Sequence, residues 1–362
     1  MTGNVPFKLF STCQLVKGVN RSTICDLQRN RVHLVPLILY EILTDFDGRT
    51  INEVKAHFEN EHDETIQEYF DFLEAEEIIF FSQFVKYFPQ LNMQWHAPTL
   101  IQNCILDIDC NSNFDFASII SSLNSLGCQH LEIRSYFPFD PDKYELMIQL
   151  CEETTLSSVS LIVPFHPQVT EESWSMLCDK YARITGITIH SSDLQKSIRS
   201  HKFIVPIDFI EDKISSEKCC GIISENKFVA SIEVFTESQH RNTCLNGKIS
   251  IDVKGNIKNC PSMKQSLGNV KYNLLEDIAR QQEFQQAWSI NKDRIAVCNE
   301  CEFRHVCTDC RAYLENPDDQ FSKPLKCGYN PYTCQWEEWS SHPMKQNAIK
   351  AYGLKDLTSL IK

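Results

Sequence analysis

The chain has 362 residues, 42% of them hydrophobic and 23% charged, with a net charge of −13. That length suggests about two or three domains and a sizeable core. The acidic balance argues against a nucleic-acid footprint, which needs a basic face, and against attraction to an anionic membrane surface.

The first fifteen residues, MTGNVPFKLFSTCQL, lack a basic segment followed by an apolar run, so a cytoplasmic chain is expected. The apolar stretch 32–43 is interrupted by His33, Pro36 and Glu41 and is too short to span a bilayer. Strand-like segments are predicted over 8–17, 22–27 and 32–34. Three helices follow. Pro36 opens the first, where its missing N–H does no harm. Thr50 and Glu53 form a capping box for the second, whose Ile51, Val54 and Phe58 share a face. The third is predicted over 63–76, with Ile66, Phe70 and Leu73 at helical spacing. A strand over 78–81 closes the segment. A small hairpin, three helices and a closing strand describe a winged-helix-like domain over 1–95.

Residues 100–210 alternate strand and helix. Strands are predicted over 101–109, 130–134, 159–163, 187–190 and 203–207. Helices are predicted over 114–126, closed by Gly127, and over 141–153 and 171–184. Repeated β-then-α units imply a parallel sheet with right-handed crossovers, here with about five strands, hence a partial (β/α) barrel over 96–215. The fold class is therefore α/β. The remainder, 216–362, is loop-rich, with one helix predicted over 274–288 and a hairpin over 248–258 that turns at Gly255-Asn256. Metal would have to organise it.

Seventeen cysteines need a reason in a reducing compartment, where clustered thiols read first as metal ligands. Nine precede Cys244 and are scattered; many of these read as buried small hydrophobes, and the adjacent Cys219 and Cys220 read as hydrophobic or loop residues. The other eight are Cys244, Cys260, Cys298, Cys301, Cys307, Cys310, Cys327 and Cys334. Cys298, Cys301, Cys307 and Cys310 stand as C-x2-C-x5-C-x2-C, and the hairpin would hold Cys244 and Cys260 near each other. Short C-x2-C turns supply two thiolates each to a compact centre. Zinc is the alternative to iron–sulfur clusters on this spacing.

The segment CLNGKISIDVKGNIKNCPSMKQSLGNV, with the later CNECEFRHVCTDCRAYL, resembles the SPASM domain appended to radical SAM peptide-modifying enzymes. One departure is that two residues, not three, separate Cys307 from Cys310. The resemblance implies two auxiliary 4Fe–4S clusters. Cys298, Cys301, Cys307 and Cys327 would hold one; Cys244, Cys260 and Cys310 would hold the other. The fourth position of the second is left to Cys334 or to an open iron site.

The middle segment resembles a radical SAM barrel without its chemistry. The family needs C-x3-C-x2-C after the first strand; here Cys110 is followed by Phe114 and Ala117 at the other two positions. Binding of S-adenosylmethionine is not expected, and no other catalytic set stands out. The N-terminal segment is acidic, with seven Asp or Glu between Asp63 and Glu77, which suits no phosphate backbone. It resembles the RiPP recognition element, which binds leader peptides by strand addition, and the candidate edge is 15–27. The whole arrangement resembles the SPASM-domain maturases of grasp-with-spasm systems. That likeness implies an accessory role in ribosomal peptide biosynthesis, with a precursor peptide and an ATP-grasp ligase as partners and neither nucleic acid nor membrane. An iron–sulfur oxidoreductase or electron-transfer protein acting on a peptide and a zinc-binding regulator are the alternatives.

Overall fold

Short apolar and β-branched runs separated by Gly, Asn and Ser favour strands joined by tight turns at the start of the chain. The computed structural model describes residues 2–355. It forms β1 (Phe7–Leu9), β2 (Cys13–Lys17), β3 (Ser22–Asp26) and β4 (Arg31–Val35), then α1 (Leu37–Asp45), α2 (Ile51–His57), α3 (Asp63–Ala75) and β5 (Ile79–Phe81). The capping box of α2 is complete. Glu53 N–H donates to Thr50 Oγ1 at 3.1 Å, and Thr50 N–H donates to Glu53 Oε2 at 2.7 Å. Such a cap is worth about 1 kcal/mol. Ile66, Phe70 and Leu73 of α3 bury against Phe7, Leu39, Ile42 and Val54 in one core.

The strand pairing corrects one expectation. β1 pairs with β5, and the three-stranded sheet has the order β2-β3-β4. Residues 22–26 therefore form the central strand, and all five are buried. Both β2 and β4 are outer strands, so residues 15–17 of the expected edge lie on one, whereas residues 22–26 do not. Sequence periodicity reports which residues form strands, whereas the pairing order depends on what packs above them.

The middle of the chain builds β6 (Asn103–Ile108), α4 (Phe116–Ser125), β7 (His130–Ser135), α5 (Pro141–Cys151), β8 (Ser158–Pro164), α6 (Glu171–Lys180), β9 (Ile184–His190), β10 (Lys196–Arg199) and β11 (Pro206–Phe209). Helix α6 stops four residues before the predicted 184, because Tyr181 turns extended and Ile184 is already needed in β9. Strand β10 carries one apolar residue, Ile198, which leaves no pattern to read. Beyond it come α7 (Ile232–Ser238), β12 (Lys248–Ile251), β13 (Asn256–Lys258) and β14 (Gly268–Asn269).

These strands make one open nine-stranded sheet in the order β10-β11-β9-β8-β7-β6-β12-β13-β14. The pairs from β11 through β12 are parallel, and the outer ones are antiparallel. The late hairpin thus completes the central sheet. Ile249 pairs with Cys104, and Ile249, Ile251 and Ile257 bury in the same core as Leu106, Leu131 and Leu161. The protein is mixed α/β around a large, mostly parallel sheet. Among the described residues, no helix is long and apolar enough to cross a membrane.

The tip of the β2–β3 hairpin rests on the C-terminal cysteine loop. Val19 N–H donates to Glu300 O at 2.9 Å, Thr23 Oγ1 donates to Glu302 O at 2.8 Å, and Arg304 Nη1 donates to Lys17 O at 2.6 Å. Arg21 Nε lies 2.5 Å from Glu302 Oε1, a carboxylate that also accepts from Tyr329 OH. Gly18 permits the approach: a Cβ there would meet Arg21 O at 2.6 Å and Glu302 Cβ at 2.9 Å.

Candidate metal centres

Two groups of thiols can be built from the loops after β11. The first begins at Val297, whose φ of +67° reverses the chain into the turn Cys298–Glu300. Cys301 N–H donates to Cys298 O at 3.1 Å and Cys307 N–H to Phe303 O at 2.9 Å, so both thiols are set by tight turns. Cys327 arrives from a separate segment, fixed by its N–H on Pro324 O at 3.2 Å and by a bridge to Ile223. Cys298, Cys301, Cys307 and Cys327 all line one cavity, together with Phe303 and Tyr329. Lys292 lies beside it, almost fully buried, with Nζ 3.1 Å from Cys307 Sγ.

The electrostatics follow from that geometry. Burial pushes the Cys298 thiol up to about 12; Lys292 opposes this, while Cys327 and Cys307 add to it. Burial likewise raises Cys301 and Cys307, and each also feels its neighbours in the group. Burial disfavours the charge on Lys292, but Cys307, Asp309 and Cys298 outweigh it and raise its pKa. A buried ammonium needs nearby negative charge. Thiolates held by a metal would supply it.

The second group gathers around β12 and β13. Cys244 precedes the hairpin and Cys260 follows it, and Lys248 Nζ sits 3.7 Å from Cys244 Sγ. Cys310 joins them. Burial, Cys244 and Cys260 push its thiol up to about 12, and Cys220 adds to the effect. Burial, Cys244 and Cys220 push Cys260 up to about 11, with Lys248 opposing. Cys307 and Cys310 therefore connect the groups through Thr308 and Asp309. The buried Asp309 accepts from Asn242 Nδ2 at 2.6 Å and from Arg311 Nε at 2.9 Å, which holds this link in place.

Cys334 stands elsewhere. It has a φ of +56° in the turn between Tyr329–Asn330 and Gln335–Trp336, and its thiol donates to Pro331 O at 3.7 Å. Tyr329, Pro331 and Trp336 border the first cavity, so this hairpin covers the first group of thiols, not the second. Lys292 and Lys248 were not singled out in the sequence, and Cys220 was read there as a hydrophobic or loop residue. Lysines are usually solvated, and a Cys-Cys pair in a loop carries no spacing signal.

The loop after β6 places Cys110 at an exposed position, with Phe114 and Phe116 packed on the core. Instead of further thiols, the strand ends here carry a buried ion pair. Arg134 Nε and Nη2 donate to the two oxygens of Asp107 at 2.7 and 2.9 Å, and Tyr136 OH donates to Oδ2 at 2.8 Å. Among the described residues, no three His, Cys, Asp or Glu side chains are drawn tightly enough to hold a single metal ion. No protein-family model matches the chain, and no curated protein matches it.

Proposed function

We propose that this protein is an accessory peptide maturase that holds two 4Fe–4S clusters through its C-terminal cysteines and binds a ribosomally made precursor peptide, its ATP-grasp ligase, or both. The observation that carries this reading is the ring of Cys298, Cys301, Cys307 and Cys327 around one cavity, with the Lys292 ammonium 3.1 Å from a thiol sulfur. Four thiols lining one cavity suit a metal centre, and the likeness of the cysteine spacing to SPASM domains favours clusters over zinc. When bound, such clusters supply structural bracing or one-electron transfer. The residues of the chain would bury them, and Lys292 and Lys248 would balance their negative charge.

The middle of the molecule supports an accessory role. Asp107, Arg134 and Tyr136 form a satisfied ionic network at the ends of β6 and β7, next to a loop whose one thiol is Cys110. One thiolate cannot hold an S-adenosylmethionine-cleaving cluster. Toward the N-terminus, β4 offers an outer strand that carries the exposed Leu34 and is followed by the exposed Ile38 of α1, which suits addition of a peptide strand. The acidic α3 beside it disfavours a duplex. An electron-transfer protein acting on a peptide is the second reading, favoured by the link of the two thiol groups through Cys307 and Cys310.

Protein purified without oxygen should be brown and contain about eight iron and about eight sulfide per chain, as two four-iron clusters require. Stoichiometric zinc without iron under those conditions would refute the cluster assignment.

A further inference from the structure

Resting on the reading that the second group of thiols holds a cluster, we infer that Cys220 is its fourth protein ligand. Three backbone ties bring it there. Lys326, buried beside the Cys327 ligand, donates through Nζ to Cys220 O at 2.7 Å and also to Lys218 O. Ile223 N–H donates to Lys326 O at 3.1 Å, so the chain after Cys220 runs beside Cys327 through a single parallel bridge. On its other side, Ser262 Oγ donates to Glu217 O at 2.9 Å and ties the segment to the turn that carries Cys260.

Between these ties the chain passes directly against Cys310. Gly221 has a φ of +87°, and a Cβ at that position would lie 2.8 Å from Cys310 Sγ. Glycine is thus required both by its conformation and by the closeness of the sulfur. The Cys220 thiol acts electrostatically on all of its candidate partners, Cys244, Cys260 and Cys310, and on Lys248. Cys334, the other candidate, belongs to the hairpin over the first cavity. Cys220 is itself exposed, and a bound cluster would cover its sulfur.

The full chain and three variants, Cys220→Ser, Cys219→Ser and Cys334→Ser, should be reconstituted with iron and sulfide without oxygen and compared by metal content and electron paramagnetic resonance. Cys220→Ser should fall from about eight iron per chain to between about four and about seven, with an altered spectrum for one cluster. The other two variants should match the parent. In parallel, the wild-type chain should be alkylated before and after loading. Cys220 should react before and be protected after, while the exposed Cys110 reacts in both states. This arm does not depend on the folding of a variant. Unchanged iron and spectrum in Cys220→Ser, or loss confined to Cys334→Ser, would overturn the assignment and leave the two-cluster reading standing. A wild-type chain that binds no metal overturns both. If it binds zinc, the cluster reading falls, and metal loss confined to Cys220→Ser still supports Cys220 as a ligand.

Discussion

Lys292 is the residue whose environment makes the sharpest demand. Its ammonium is buried against Cys307 Sγ, and the alternative acceptor within reach is Cys307 O at 3.5 Å. A cation beside a cluster stabilises the more negative, reduced form. Lys292→Met, which keeps the volume and removes the charge, should lower the potential of that cluster by tens of mV. One tenfold change in a one-electron equilibrium is about 59 mV, and a charged hydrogen bond is worth about 1.5–3 kcal/mol. Potentiometric titration followed by electron paramagnetic resonance reads the shift; an unchanged potential would separate Lys292 from the cluster. At this scale the sequence was informative wherever the residue type itself carries the chemistry. Cysteines at C-x2-C spacing are visible without a fold. The partners that make their burial tolerable, Lys292, Lys248 and Asp309, are not visible, because nothing local distinguishes a buried lysine or aspartate from a solvated one.

Elements were legible in proportion to how local their causes are. The capping box at Thr50 and the buried faces of α2 and α3 follow from residues within a few positions of one another. The helix predicted over 274–288 is instead three short pieces, Leu275–Ala279, Gln282–Gln285 and the 3-10 turn Gln286–Ser289. Gln281 turns extended between the first two, which lets Ile278, Phe284 and Trp288 all reach the core. Strand order is less local still, as the central position of β3 shows. The outer position of β4 leads to a test. N–H groups along a strand point alternately to either side. Of His33→Pro and Leu34→Pro, one removes a ladder bond to β3 and should lower thermal stability. The other should leave the melting temperature near that of the parent and weaken binding of a leader peptide about tenfold, the equivalent of one hydrogen bond of about 1.4 kcal/mol. Calorimetry and thermal melts on the full chain distinguish the two. Unchanged peptide binding in both variants would remove β4 as the docking strand.

On the scale of the molecule, the first thiol group sits where the N-terminal sheet meets the last segment. Val16, Cys25 and Leu27 from that sheet and Ile223, Phe235, Phe303, Cys307 and Cys327 from the last segment share one small core. The proposed metal there would brace both. Stripping it with a chelator should therefore raise proteolysis over 290–340 first, followed by mass spectrometry of the fragments, while α1 to α3, with their own core, stay protected. Simultaneous cleavage throughout the chain would show that the N-terminal core depends on the metal as well. The place of β12 beside β6 has a consequence for synthesis. Strand β6 emerges early from the ribosome and pairs with β7 soon after, but its other side is filled only by Lys248–Ile251. Until then it presents a raw hydrogen-bonding edge of buried-type residues, Cys104, Leu106 and Ile108, which invites pairing with a second nascent chain. Cys244 and Cys260 are delivered by the same strand addition that closes this edge. The proposed cluster at the second site would thus be housed only in chains that have already escaped that hazard, and would act as a seal on correctly registered sheets.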